Sequence, residues 1–210
     1  MNKAKINEIF KRLAEQNPEP KTELEYINVY TLLVAVILSA QATDVGVNKA
    51  TKSLFKKIDT PEKMVELGVY VLKKYIKTIG LFNSKAKNVI GMSKILIEEH
   101  GGQVPKTEEE LVKLPGVGVK TAKVLMNCAF GEPVIAVDTH VFRVSHRLGF
   151  VTTKTPEATG KELEKIIPKE YLQHAHHWLI LLGRYTCKAR SPECDKCIVN
   201  DLCEFKDKKL

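Results

Sequence analysis

The sequence has no apolar run long enough to cross a bilayer. The longest, Val29–Leu38, is ten residues long and contains Tyr30 and Thr31, whereas a spanning helix needs about 20. It reads as a buried core helix, and no membrane partner is expected. An export signal is missing too, since Met1–Arg12 mixes Lys3, Lys5, Glu8, Lys11 and Arg12 with Ile6, Ile9 and Phe10. The expected location is the cytoplasm. Period-two strands, long internal repeats and low-complexity tracts are also lacking, which argues against sheet proteins, solenoids and disordered tails. Cysteine is scarce and unevenly placed: of five, Cys128 stands alone, and Cys187, Cys194, Cys197 and Cys203 fall in the final 24 residues. An odd count clustered at one end argues against a disulfide framework and toward metal ligation in a reducing compartment.

What is present is helical periodicity. Ile6, Ile9, Phe10 and Leu13 share one stripe, and Val137, Val141, Val144 and Leu148 another, so the expected class is all-α. Thr60-Pro61-Glu62 and Thr155-Pro156-Glu157 each put a cap before a first-turn proline, and Thr107-Glu108-Glu109-Glu110 fits a capping box. With 44% hydrophobic residues among 210, the chain can bury one or two cores. Lys and Arg number 33 against 25 Asp and Glu, a formal charge of +8, which favours a polyanionic partner. Gly131-Glu132-Pro133, followed by a new helix start, is the best candidate for a crossing between domains.

Leu114-Pro115-Gly116-Val117-Gly118-Val119-Lys120-Thr121-Ala122 reads as a helix-hairpin-helix. Pro115 stops one helix, the glycines allow a tight turn, and the next helix begins with unpaired amides aimed at the turn. Gly116, Val117 and Gly118 are therefore candidate contacts to a phosphate, held by backbone donors and the positive end of a helix dipole. Such contacts position a protein on DNA without reading its sequence.

This hairpin, with Asp138 eighteen residues beyond Lys120 in Val137-Asp138-Thr139-His140-Val141-Phe142-Arg143, resembles the endonuclease III family of helix-hairpin-helix DNA glycosylases. Leu38–Asp44, Gly80–Ala86 and the cysteine tail extend the resemblance over nearly the whole chain. It implies two helical domains flanking a DNA-binding cleft: a six-helix barrel type domain over residues 22–132, and a terminal domain of residues 1–21 and 133–210 with a cluster loop at 187–203. It also implies a monomer that excises oxidised pyrimidines from double-stranded DNA and cleaves abasic sites, in association with the nucleoid. Gln41 is implied to fill the gap left by an extruded nucleotide, and Leu81 to wedge the opposite strand. Many members carry a positive residue where Val119 stands, which puts one DNA contact in doubt.

The chemistry can be argued from the residues themselves. A lysine amine attacks a sugar carbon only when neutral, and Lys120 falls in the first turns of its helix, where the dipole disfavours an extra cation. The imine it forms at C1′ acidifies the C2′ proton, and loss of that proton breaks the C3′–O bond. A carboxylate must stabilise charge on the sugar or move protons, and Asp138, just ahead of a helix beginning at Thr139, is the one chosen.

The spacing C-x6-C-x2-C-x5-C of Cys187, Cys194, Cys197 and Cys203 points to a metal centre. Ligand chemistry alone leaves zinc and iron–sulfur both open, and the resemblance implies a [4Fe-4S] cluster. Lys196 in this loop is a candidate phosphate contact. Cys128, in an apolar context, reads as packed, and His174, His176 and His177 as structural. His140 stands nearer the site, with no evident mechanism. Competing readings are a mismatch-specific glycosylase of the same superfamily and a non-enzymatic DNA-binding iron–sulfur redox sensor. Lys120 together with Asp138 favours the lyase over both.

Overall fold

The computed structural model describes residues 1–209. In chain order its helices are α1 (Lys3–Gln16), α2 (Val29–Ser39), α3 (Asp44–Phe55), α4 (Pro61–Ile76), α5 (Phe82–His100), α6 (Glu108–Leu111), α7 (Val119–Phe130), α8 (Thr139–Leu148), α9 (Pro156–Ile166) and α10 (Lys169–Tyr185), then a 3-10 turn at Cys194–Lys196. No strand occurs among the described residues, as the periodicity requires. The chain divides into two compact units, one of Met1–Lys21 with Gly131–Leu210 and one of Thr22–Phe130. No helix of the described residues is long and apolar enough to cross a membrane.

The Thr22–Phe130 unit is built around α2. Tyr30 to Leu38 are all buried, and a helix apolar on every side must be surrounded; α3, α5 and α7 pack against it. Its start is fixed by a reciprocal cap between Asn28 and Thr31, and α4 starts at the Thr60 cap followed by Pro61. Thr107 caps α6, but Glu110 bonds the Thr107 hydroxyl and not its backbone N–H, so the capping box is only half formed.

The second unit packs α1 and α8 against α10. Phe10 is its centre, with ring centroids 5.6 Å from Phe150, 6.0 Å from Tyr171 and 6.2 Å from Trp178. Truncating so buried an aromatic costs about 3–5 kcal/mol. Gly183 permits the close approach of α10 to α8, since an added Cβ would lie 2.9 Å from His140 Cβ and 3.0 Å from Val144 Cγ2.

His177 gives this unit a pH-dependent stability. Burial first, then His176 and His174, push its pKa down to about 3 from 6.5. An unfolded chain takes up this proton below 6.5 and the folded chain does not, so the contribution is intact above pH 6.5 and is lost as pH falls toward 3. The slope is at most about 1.4 kcal/mol per pH unit. Denaturant unfolding between pH 7 and pH 4.5 should show a shallower loss for His177→Gln than for the unsubstituted chain.

Candidate active site and cysteine loop

The hairpin is pinned by its apolar residues and exposes its glycines. Leu114 and Val117 are buried, while Gly116 and Gly118 are exposed. Gly116 has φ +80, and a Cβ there would meet Asn88 Cβ at 3.0 Å and Ile37 Cγ2 at 3.2 Å. Gly118 has neither restriction, for nothing lies within 4 Å of its Cβ position. Val117 departs from the expectation of a DNA contact through its amide. That N–H donates to the Leu114 carbonyl at 3.0 Å, so Val117 anchors the turn and offers no donor to a phosphate. Gly116→Ala should cost about 2 kcal/mol from the left-handed backbone and the two contacts, or roughly 4–8 °C in Tm. Gly118→Ala should leave Tm unchanged and weaken DNA binding, and calorimetry with a binding titration checks both.

Lys120 is exposed in the first turn of α7, and Val119 beside it is exposed as well. Gln41 and Leu81, on the same unit, are exposed and are the two non-glycine residues with positive φ among the described residues, at 53° and 60°. Such a conformation costs about 1–2 kcal/mol per residue and concentrates where function demands it. The structure brings the two loops together: the Cβ position of Gly80, next to Leu81, is 3.8 Å from the Gln41 carbonyl oxygen.

In the other unit Asp138 is the N-cap of α8. Its Oδ1 accepts from the Val141 amide at 2.7 Å, and its own carbonyl accepts from Phe142 at 2.9 Å. One carboxylate oxygen thus fixes the side chain and Oδ2 is left for other work. His140 serves the α8–α10 junction, accepting at Nδ1 from Arg143 Nη2 at 3.2 Å. Cys128 is packed, and burial pushes its thiol up to about 11.

Cys187, Cys194, Cys197 and Cys203 line one pocket together with Leu148, Leu182, Pro192 and Phe205. Burial raises the Cys197 and Cys203 thiols, and the neighbouring sulfurs raise them further. Thiols so placed ionise together only if bound cations compensate their charge. Among the described residues no three His, Cys, Asp or Glu side chains close around a single ion. The four thiols line one apolar-walled pocket, and such a donor set fits a thiolate-ligated metal centre.

Three arginines hold this loop, and sequence reading assigned none of them. Arg143 donates to the carbonyls of Cys187 (3.2 Å) and Gly183 (2.8 Å). Arg147 donates to those of Lys188 (2.7 Å) and Ala189 (2.9 Å) and lies 3.5 Å from Cys187 Sγ. Arg12 grips Asp201 with both Nη atoms, at 2.7 and 3.1 Å, and reaches the Ile198 carbonyl at 3.1 Å. The i, i+4 spacing of Arg143 and Arg147 on a helix leading from Asp138 toward the cysteines was the available signal. Lys196, the expected phosphate contact, pairs with Glu193 at 3.1 Å, and Lys188 shares that carboxylate.

Comparison with known proteins agrees with these features. Residues 34–169 match the model of the HhH-GPD superfamily of base excision DNA repair proteins. Residues 187–203, running from the first loop cysteine to the last, match the iron–sulfur binding domain of endonuclease III. Endonuclease III of Rickettsia conorii is 60% identical over 200 residues, covering 95% of each chain, and that of Escherichia coli K12 is 56% identical over 208 residues, covering 99% of each. The chain belongs to the endonuclease III family. A solved structure of a trapped endonuclease III–DNA covalent intermediate superposes with a TM-score of 0.90 at 45% identity, covering 97% of this chain and 96% of that one. A thermostable thymine-DNA glycosylase is more distant, with a TM-score of 0.82, 25% identity and coverage of 94% and 93%. As an endonuclease III family member with the matched iron–sulfur segment, the chain carries a [4Fe-4S] cluster.

Proposed function

We propose that this protein is a DNA glycosylase and abasic-site lyase that removes oxidised pyrimidines from double-stranded DNA, acting as a monomer on the nucleoid in the cytoplasm. The observation that carries the reading is Lys120, an exposed amine in the first turn of the helix that leaves the hairpin. The exposed glycines of the hairpin hold the DNA backbone, and the damaged nucleotide is extruded because its sugar is out of reach in the stack. Gln41 fills the gap and Leu81 wedges the facing strand.

The Lys120 nitrogen bonds to C1′ as the glycosidic bond breaks, and the base leaves with that electron pair and takes up a proton. Asp138, its Oδ1 held by the Val141 amide, supplies a negative charge to the developing cation on the sugar through Oδ2. Opening of the sugar ring gives an imine at C1′. Loss of the C2′ proton then expels the 3′ phosphate oxygen and cuts the strand, and water releases the lysine. Cys187, Cys194, Cys197 and Cys203 would hold the cluster, which supplies a cross-link ordering a loop too short to form a core. With the loop so ordered, Lys196 exchanges Glu193 for a backbone phosphate.

An oligonucleotide duplex with one thymine glycol tests the reading. Strand nicking at the lesion is expected. Release of the base with an intact strand would point to a mismatch-type monofunctional glycosylase, and binding without reaction to a redox sensor.

A further inference from the structure

Lys85 is a residue for which neither the fold nor the chemistry above gives a reason. Lysine is rarely buried, yet Lys85 is only 4% exposed, and its Nζ has no hydrogen-bond partner among the described residues. Burial lowers the pKa of this amine. An unpaired buried cation opposes folding, so replacing it with an apolar side chain of similar length should not weaken the fold.

The neighbours of α5 locate the residue. Lys85, Val89 and Ser93 recur at i, i+4 and i+8 on one face of α5 and are all buried. On that face Ser93 Oγ and the hydroxyl of Tyr30, near the start of α2, are 2.6 Å apart. Further along, Asn88 and Ile37 meet at Gly116, and the Gln41 carbonyl meets Gly80, so α5 and α2 run antiparallel. Eight residues back from Ser93 is about 12 Å of helix. That brings Lys85 level with the last turn of α2, which ends at Ser39. There the Val36 and Ser39 carbonyls accept from Ser39 Oγ at 2.9 Å and the Ala42 amide at 3.0 Å, and the end of the helix is the negative end of its dipole. The Lys85 backbone N–H in turn donates to the Leu81 carbonyl at 3.0 Å.

We propose that Lys85 is a positioning residue for base extrusion: its buried ammonium, with no hydrogen bond of its own, is attracted to the negative end of the α2 dipole, and this attraction sets the end of α2 against the start of α5 so that Gln41 and Leu81 both enter the gap in the duplex. The inference rests on the roles given to Gln41 and Leu81 under the proposed function. It gives a reason for a buried charge on the helix that begins next to Leu81, one of two exposed residues with unfavourable backbone angles.

Single-turnover rates on two duplexes test it. One contains thymine glycol, whose base must be unstacked; the other contains a preformed abasic site with no base to unstack. Lys85→Met should fold with unchanged or higher Tm, lose at least about tenfold in base excision and stay within about threefold in abasic-site cleavage. Lys85→Arg, which keeps the charge, should recover most of the lost rate. Equal losses on both duplexes, or no loss on either, overturn the inference; should Lys85→Met not fold, Lys85→Gln is read by the same comparison. Leu81→Ala separates this from the underlying reading. If Leu81→Ala slows excision and Lys85→Met does not, only the Lys85 inference fails; if Leu81→Ala changes neither rate, the wedge assignment itself fails.

Discussion

Lys120→Ala is expected to lower strand cleavage at thymine glycol by at least about a thousandfold while leaving DNA affinity and Tm nearly unchanged. The side chain is exposed in the first turn of α7, so its removal leaves no cavity, and alanine is the best helix former. The whole loss therefore falls on the bond that the amine would make to C1′. Asp138→Asn makes a useful contrast. Asparagine caps a helix as well as aspartate does, and the bond to the Val141 amide can persist while the negative charge is gone. Turnover should fall by about a hundredfold with no change in Tm. Single-turnover kinetics and calorimetry on the same preparations separate the two residues, and a large Tm loss in either variant would show a structural role instead.

The second large effect is expected at the cysteine loop. Cys197→Ala removes one of four thiols around a pocket with apolar walls, and three remaining thiols cannot complete the ligation of a [4Fe-4S] cluster. Iron should fall from about four per chain to nearly none, with loss of visible absorption. Without the cluster the segment keeps the contacts of Arg12, Arg143 and Arg147 and the packing of Val199, with no cross-link among its cysteines. Lys188, Arg190 and Lys196 are exposed there, so trypsin should cut within the loop of the variant and spare the intact protein, while the helical circular dichroism changes little. Full iron content in Cys197→Ala would remove that residue from the ligand set, and stoichiometric zinc in anaerobically prepared protein would replace the cluster altogether.

Much of this was legible in the sequence because it rests on local rules. Apolar spacing gave the helices, Thr60-Pro61 and Thr155-Pro156 fixed two helix starts, and Asp138 could be read as a cap because capping chemistry acts over three residues. The cysteine spacing is likewise a property of one short segment. What escaped depends on residues far apart in the chain. Arg12 reaches Asp201 across 189 positions, and no pattern near Arg12 announces it. Lysine reads as solvated, so the burial of Lys85 is visible only once α2 lies against α5. The left-handed Gln41 and Leu81 contradict local preference, and tertiary packing imposes them. Val117 shows the opposite error: the motif marked it for DNA, but the turn had already taken its amide.

Borohydride reduction during reaction with damaged DNA tests the central chemistry most directly, because it converts a transient imine into a stable amine. Peptide mapping of the trapped complex should place the sugar remnant on Lys120, and Lys120→Ala should give no adduct. An adduct on any other residue, or undiminished trapping by the alanine variant, would contradict the account.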